Sequence, residues 1–155
     1  NYLKMIDQID KSLLKLLQED SKKPNKYYAN QLGLSNTAIY ERIKKLERSG
    51  IISRYAAVLD KSKVNKNFVA FCHVKLQQHS KDMVLQFERE IARLEAVVSC
   101  FHIAGEYDYL LKIHLEDMAA YRDFIVRKLT TISAIGSTQS AFVISEIKDT
   151  AHIPL

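Results

Sequence analysis

Apolar positions in the first third of the chain recur at helical spacing. Ile6, Ile9, Leu13, Leu16 and Leu17 draw one stripe along a first helix, with Asp7 or Asp10 placed to cap its start. The run Ser21-Lys22-Lys23-Pro24-Asn25 breaks the stripe, because Pro24 disfavours a helical residue before it. A short second helix is predicted over Lys26–Leu32, with Asn25 as its N-cap and Gly33 as its left-handed stop. Ser35 caps a third helix reaching about Arg48. Its core face is Ile39, Ile43 and Leu46; its other faces carry Asn36, Thr37, Tyr40, Arg42, Lys44 and Lys45. Gly50 ends it and Ile51-Ile52 anchor the exit. Two helices joined by a short turn around a glycine, the second polar and basic outside, describe a helix-turn-helix.

Beyond Arg54 the period changes. Tyr55–Leu59 is short and β-like. Phe68–Leu76 alternates Phe68, Ala70, Cys72, Val74 and Leu76 on one face with Val69, Phe71, His73 and Lys75 on the other. Ser80–Leu94 returns to helical spacing, and strands are predicted at Val97–Ala104 and Tyr107–Leu115, separated by Gly105-Glu106. Asp117 caps a last helix bearing Met118, Tyr121, Ile125 and Leu129, and a final strand is expected from about Thr138 to Ile147. The order β-α-β-β-α-β predicts an α+β chain: a three-helix, winged helix-turn-helix followed by a ferredoxin-like βαββαβ unit. The expected division is residues 1–54, a linker at 55–66, and 67–155. Strand residues on both faces are apolar, as in Phe68 with Val69, Val98 with Phe101, and Leu111 with Ile113. A sheet apolar on both sides calls for a partner, most simply a second copy.

Charge sharpens the picture. The 155 residues carry a net charge of +5, but the stretch from Lys22 to Arg54 holds eight basic residues against Glu41 and Glu47, so the rest of the chain is close to neutral. A local basic excess is the footprint of phosphate binding. Cys72 and Cys100 have no CxxC neighbour, which predicts no disulfide framework and fits a reducing compartment. No apolar run has the length of a membrane span, and the start NYLKMIDQIDK has no apolar h-region, so a cytoplasmic protein is expected. Cys100 and His102 share a strand face, yet the spacing is unlike that of zinc ligands, and no metal or cofactor is expected. Without a GxSxG, P-loop, HExxH or GxGxxG motif, and with nothing to activate a nucleophile, an enzyme is not expected.

Several dispersed motifs resemble those of the leucine-responsive regulatory protein (Lrp/AsnC) family. The N-terminal ones are IDQIDKSLLKLLQEDSK and QLGLSNTAIYERIKKLERSGIISRYAAVLD; the C-terminal ones are CFHIAGEYDYLLKIHLEDMAAYRDFI and SAFVISEIKDT. The resemblance runs over nearly the whole chain. It implies a transcription regulator binding double-stranded DNA, built as homodimers that associate further into octamers, with a small amino-acid effector bound in the C-terminal unit. By position, Gly105, Glu106, Tyr107 and Asp108 match the family's effector loop, and Thr138 and Ser140 match the start of the last strand beside it. The helix from Ser35 matches the recognition helix. Pro24 and the pair Tyr27-Tyr28 depart from the usual second helix. AGEYDYLLK and EIKDT look closer to the leucine-responsive branch, which implies an apolar effector such as leucine or methionine.

On this reading the DNA-contacting residues are Ser35, Asn36, Thr37, Tyr40, Arg42, Lys44, Lys45 and Arg48. Each has an ordinary structural reading beside it: a solvated charged face, an ion pair of Arg42 with Glu41 or Glu47, or a cap at Ser35. Gly105 serves a hairpin in any case, while exposing N–H groups that suit a carboxylate; Asp108 caps a turn or pairs with an ammonium. A nucleoid-organising protein with little sequence preference is the alternative that the same basic patch would serve.

Overall fold

The computed structural model describes residues 6–155. They form two compact units: one runs through Val58 and takes in Lys148–Leu155, and the other is Leu59–Ile147.

The first unit holds α1 (Gln8–Glu19), α2 (Asn25–Leu32) and α3 (Asn36–Arg48). Leu13, Leu17, Tyr28, Ala29, Ile39 and Leu46 make its buried core, with Ile43, Ile51 and Ile52 packed at the margin. Asp7 caps α1 through a reciprocal box with Asp10. The start of α2 differs from the sequence-based expectation. Pro24 stands at the N-cap, and Asn25 is the first helical residue rather than the cap. Proline's fixed φ, here −66°, presets the chain for the helix without any side-chain cap bond. Tyr28 is buried for a specific reason: its hydroxyl donates to the Asp20 carbonyl at 2.6 Å, satisfying the end of α1. Gly33 ends α2 at φ +66°, a conformation a Cβ disfavours, and its N–H bonds back to the Ala29 carbonyl.

No strand forms between α3 and Phe68 among the described residues, so the expected wing and the β-like stretch Tyr55–Leu59 are irregular chain here. A strand needs a ladder partner, and none of the described residues pairs with that stretch.

The second unit contains β1 (Phe68–Leu76), α4 (Lys81–Ile91), β2 (Val97–His102), β3 (Tyr109–Leu115), α5 (Met118–Phe124) and β4 (Ile135–Phe142). α5 continues into a single π turn, Ile125–Leu129. The strands form one antiparallel sheet in the order β2-β3-β1-β4, as the split βαβ pattern predicts. Ala70, Cys72, Val74 and Leu76 of β1 and Leu111 and Ile113 of β3 pack against Phe87 and Ile91 of α4 and Tyr121 and Phe124 of α5. Leu111 and Ile113 therefore lie on one face, not on opposite faces. Since paired residues share a side, the register Cys72↔Leu111 and His73↔Leu110 leaves Leu110 as the apolar residue of β3 on the helix-free face.

β4 starts at Ile135, three residues before the expected Thr138, and stops at Phe142. Leu76 pairs with Ile135 across a register shift that absorbs one extra residue, which extends the ladder upstream. Downstream, Ile144 and Ile147 are fully solvent-exposed.

Candidate functional site

Helix α3 is the natural starting point for a nucleic-acid interface. Ser35 has extended backbone at the N-cap, and its hydroxyl accepts from the Ala38 N–H at 3.1 Å, so that side chain is committed to capping. Asn36, Thr37, Tyr40, Lys45 and Arg48 are exposed, and Lys44 is half-buried. Thr37, Tyr40, Lys44 and Arg48 recur at three- and four-residue spacing and so share the outward stripe. Glu41 is exposed on this face too. A search for positive charge passes over such a carboxylate, although a carboxylate can accept from cytosine. Lys44 donates to Glu47 at 2.9 Å and lies 5.7 Å from the centre of the Tyr40 ring. Glu47 also accepts from the Tyr55 hydroxyl at 3.1 Å. These contacts depress the Glu47 carboxyl, the Lys44 ammonium first and Tyr55 second.

Arg42 lies elsewhere on the helix. Its guanidinium turns to the start of α1, donating to Asp7 at 2.7 Å and Asp10 at 2.6 Å. Neither Glu41 nor Glu47 is its partner. The Lys45 ammonium reaches the other oxygen of Asp10 at 3.3 Å. Asp10 is fully buried, the one buried acidic group among the described residues.

The second candidate is the connection between β2 and β3. Ile103 N–H bonds to the Asp108 carbonyl at 2.8 Å, and Asp108 N–H to the Val74 carbonyl at 2.9 Å. The Asp108 carboxylate accepts from the Leu76 N–H at 2.8 Å and meets His79 Nε2 at 2.7 Å. Burial opposes its ionisation, but the Leu76 amide and then His79 outweigh that and hold the carboxyl below its ordinary value. Gly105 has φ +151°, a backbone state that side chains rarely adopt, with open space where a Cβ would stand. Glu106 is exposed. The Tyr107 hydroxyl donates to Gln139 at 2.7 Å, and its ring lies 5.1 Å from that of His73.

Thr138 and Ser140 are not brought to this loop within the chain. They pair with Val74 and Cys72 and so face the helices, where the Ser140 hydroxyl hydrogen-bonds that of Tyr121. Gln139, between them, faces the loop's side of the sheet together with His73. Strand alternation is the signal that could have found both. The thiols do not approach each other either: Cys72 and Cys100 both pair across to Leu111, from opposite neighbours of β3. They stand about 10 Å apart by strand spacing, and His102 is stacked on the Tyr109 ring at 4.6 Å. Among the described residues no group of three His, Cys, Asp or Glu could hold a metal. No helix of the described residues is long and apolar enough to cross a membrane.

The chain thus joins a helix-turn-helix to an antiparallel α+β unit with a stitched glycine loop, the two-part plan of the family it matches. The chain belongs to the Lrp/AsnC family. Residues 6–47 match the AsnC-type helix-turn-helix domain, and residues 69–153 match the Lrp/AsnC ligand binding domain. It is 32% identical over 151 residues to the DNA-binding transcriptional activator DecR of Escherichia coli, covering 97% of this chain and 99% of that one. It is likewise 32% identical over 150 residues to the E. coli leucine-responsive regulatory protein, covering 97% and 92%. Among solved structures, a Neisseria meningitidis transcriptional regulator in complex with L-Met superposes with a TM-score of 0.92 at 34% identity over 96% of each chain. The family is made up of transcription regulators, not enzymes.

Proposed function

We propose that this chain is a sequence-specific transcription regulator whose assembly or DNA affinity responds to a small amino acid. The observation that supports it most is the outward stripe of α3. Thr37, Tyr40 and Arg48 are exposed beyond the Gly33 turn, and Lys44, half-buried and bonded to Glu47, shares their stripe with its ammonium. Such groups bond base edges and phosphates in the major groove. Asn36 at the head of the helix belongs with them, Lys45 adds charge toward phosphate, and Ser35 contributes by setting the helix start.

For the effector, the loop Gly105–Asp108 offers backbone donors and a carboxylate, a pairing suited to a molecule carrying both an anionic and a cationic end. Glu106 is exposed and is the carboxylate offered to the ammonium. Thr138 and Ser140 remain candidates only if effector binding draws on the far side of β4. A relative crystallised with L-Met and another named for leucine favour an apolar amino acid. The apolar residues on the helix-free face, Phe71, Leu110 and Phe101, support self-association into homodimers, and the family resemblance extends this to octamers. A cytoplasmic location goes with a DNA partner.

The test is a thermal-shift screen of the twenty amino acids, followed by anisotropy titration of a duplex selected from a randomised pool. A ligand preferring the native state raises its stability. A rise with leucine or methionine and a changed DNA affinity support the reading. Equal affinity for selected and scrambled duplexes would instead favour a nucleoid-organising role.

A further inference from the structure

Arg42 carries the charge and shape of a guanine reader, yet its geometry assigns it another task. Nη1 is held between the Asp7 and Asp10 carboxylates at 2.7 and 2.6 Å, and the side chain is only 26% exposed. The two acids are locked together. Asp10 N–H donates to Asp7 at 2.7 Å, and Asp7 N–H donates to Asp10 at 3.3 Å. Two carboxylates so close repel, and Asp10 has no exposure to water. Arg42 is the cation that bridges both, at 2.7 and 2.6 Å; Lys45, with its side chain half in solvent, reaches Asp10 at the longer 3.3 Å. For Arg42 to swing into a DNA groove, it would have to leave a buried carboxylate beside a second one, which is strongly disfavoured.

We infer that Arg42 is a positioning residue: it pins the recognition helix α3 to the capping box of α1 and so sets the angle at which Thr37, Tyr40, Glu41 and Lys44 are presented. The inference rests on α3 being the recognition helix. Its consequence is that Asp10, which no DNA can touch, matters to DNA affinity as much as Arg42 does. Replacing both partners with neutral side chains leaves neither a buried carboxylate at position 10 nor a guanidinium at position 42 without its partner, so the pair is coupled.

The experiment is a double-mutant cycle on the full chain, R42M, D10N and D10N/R42M, read by anisotropy on the selected duplex and by the base preference at each operator position. Each single variant is expected to lose about tenfold or more in affinity with an unchanged order of base preferences. The double variant should bind more tightly than R42M alone. D7N, at the half-exposed acid, should show a smaller loss in the same direction and serves if D10N does not fold. A D10N or D7N protein binding like the parent, a double variant as weak as R42M, or R42M relaxing preference at a single base pair would each overturn the inference. Failure of the underlying reading looks different: T37A/Y40A/K44A would then bind the selected duplex like the parent.

Discussion

Asp108 takes two partners from one segment, the Leu76 amide and His79, and thereby ties the β2–β3 connection to the end of β1. Its carboxyl is held below the ordinary value, so its contribution to stability is fully present above about pH 4 and is lost as pH falls through the lowered value. D108N is therefore expected to flatten the acid limb of the thermal-unfolding profile of the α+β unit. If the loop binds effector, D108N also moves the effector titration midpoint by about tenfold or more while DNA affinity without effector is unchanged. An unaltered midpoint would leave the residue a turn tether only. On α3, Glu41 stands between the outward Thr37 and Lys44. E41A should change base preference at one operator position, by about 1–3 kcal/mol of discrimination, with little effect elsewhere. A uniform gain in affinity would mark it instead as a carboxylate that merely repels phosphate.

Elements reveal what periodicity carries and what it does not. The stripe Ile39, Ile43 and Leu46 located α3, and Ser35 and Gly33 located its cap and the preceding stop, because those signals are local. The angular position of Arg42 was also implicit in the sequence. Its partners were not, since Asp7 and Asp10 lie 35 and 32 residues away and spacing is silent about which helix a flank meets. The strands followed the same rule. Alternation placed Cys72 and Val74 correctly, whereas the start of β4 depended on the pairing of Leu76 with Ile135, a long-range register. For the loop, sequence adjacency grouped Gly105 to Asp108, but only the sheet brings Gln139 and His73 to Tyr107. One element-level prediction follows from Gly33. G33A forces a Cβ into φ +66°, and should destabilise the helical unit by about 1 kcal/mol in urea unfolding. The α+β unit should unfold as before.

At the scale of the molecule, two separate cores serve two tasks, the helical one built on Leu13, Ile39 and Leu46 and the sheet-based one on Cys72, Leu111 and Phe87. Regulation requires that a ligand event in the second be felt in the first, and a coupling free energy between sites acts in both directions. Self-association gives such coupling a route. F101K, placing a charge on the helix-free face where Phe101 is about half exposed, should shift light-scattering mass toward smaller species. On the proposed function, this chain reads DNA sequence under the control of an amino acid. The most direct test is anisotropy of a selected and a scrambled duplex at one salt concentration, with and without the amino acid that raises thermal stability. The expected result is a preference for the selected duplex of at least about a thousandfold and a shift in its affinity on adding the amino acid. Equal binding of both duplexes, unmoved by any amino acid, would contradict it.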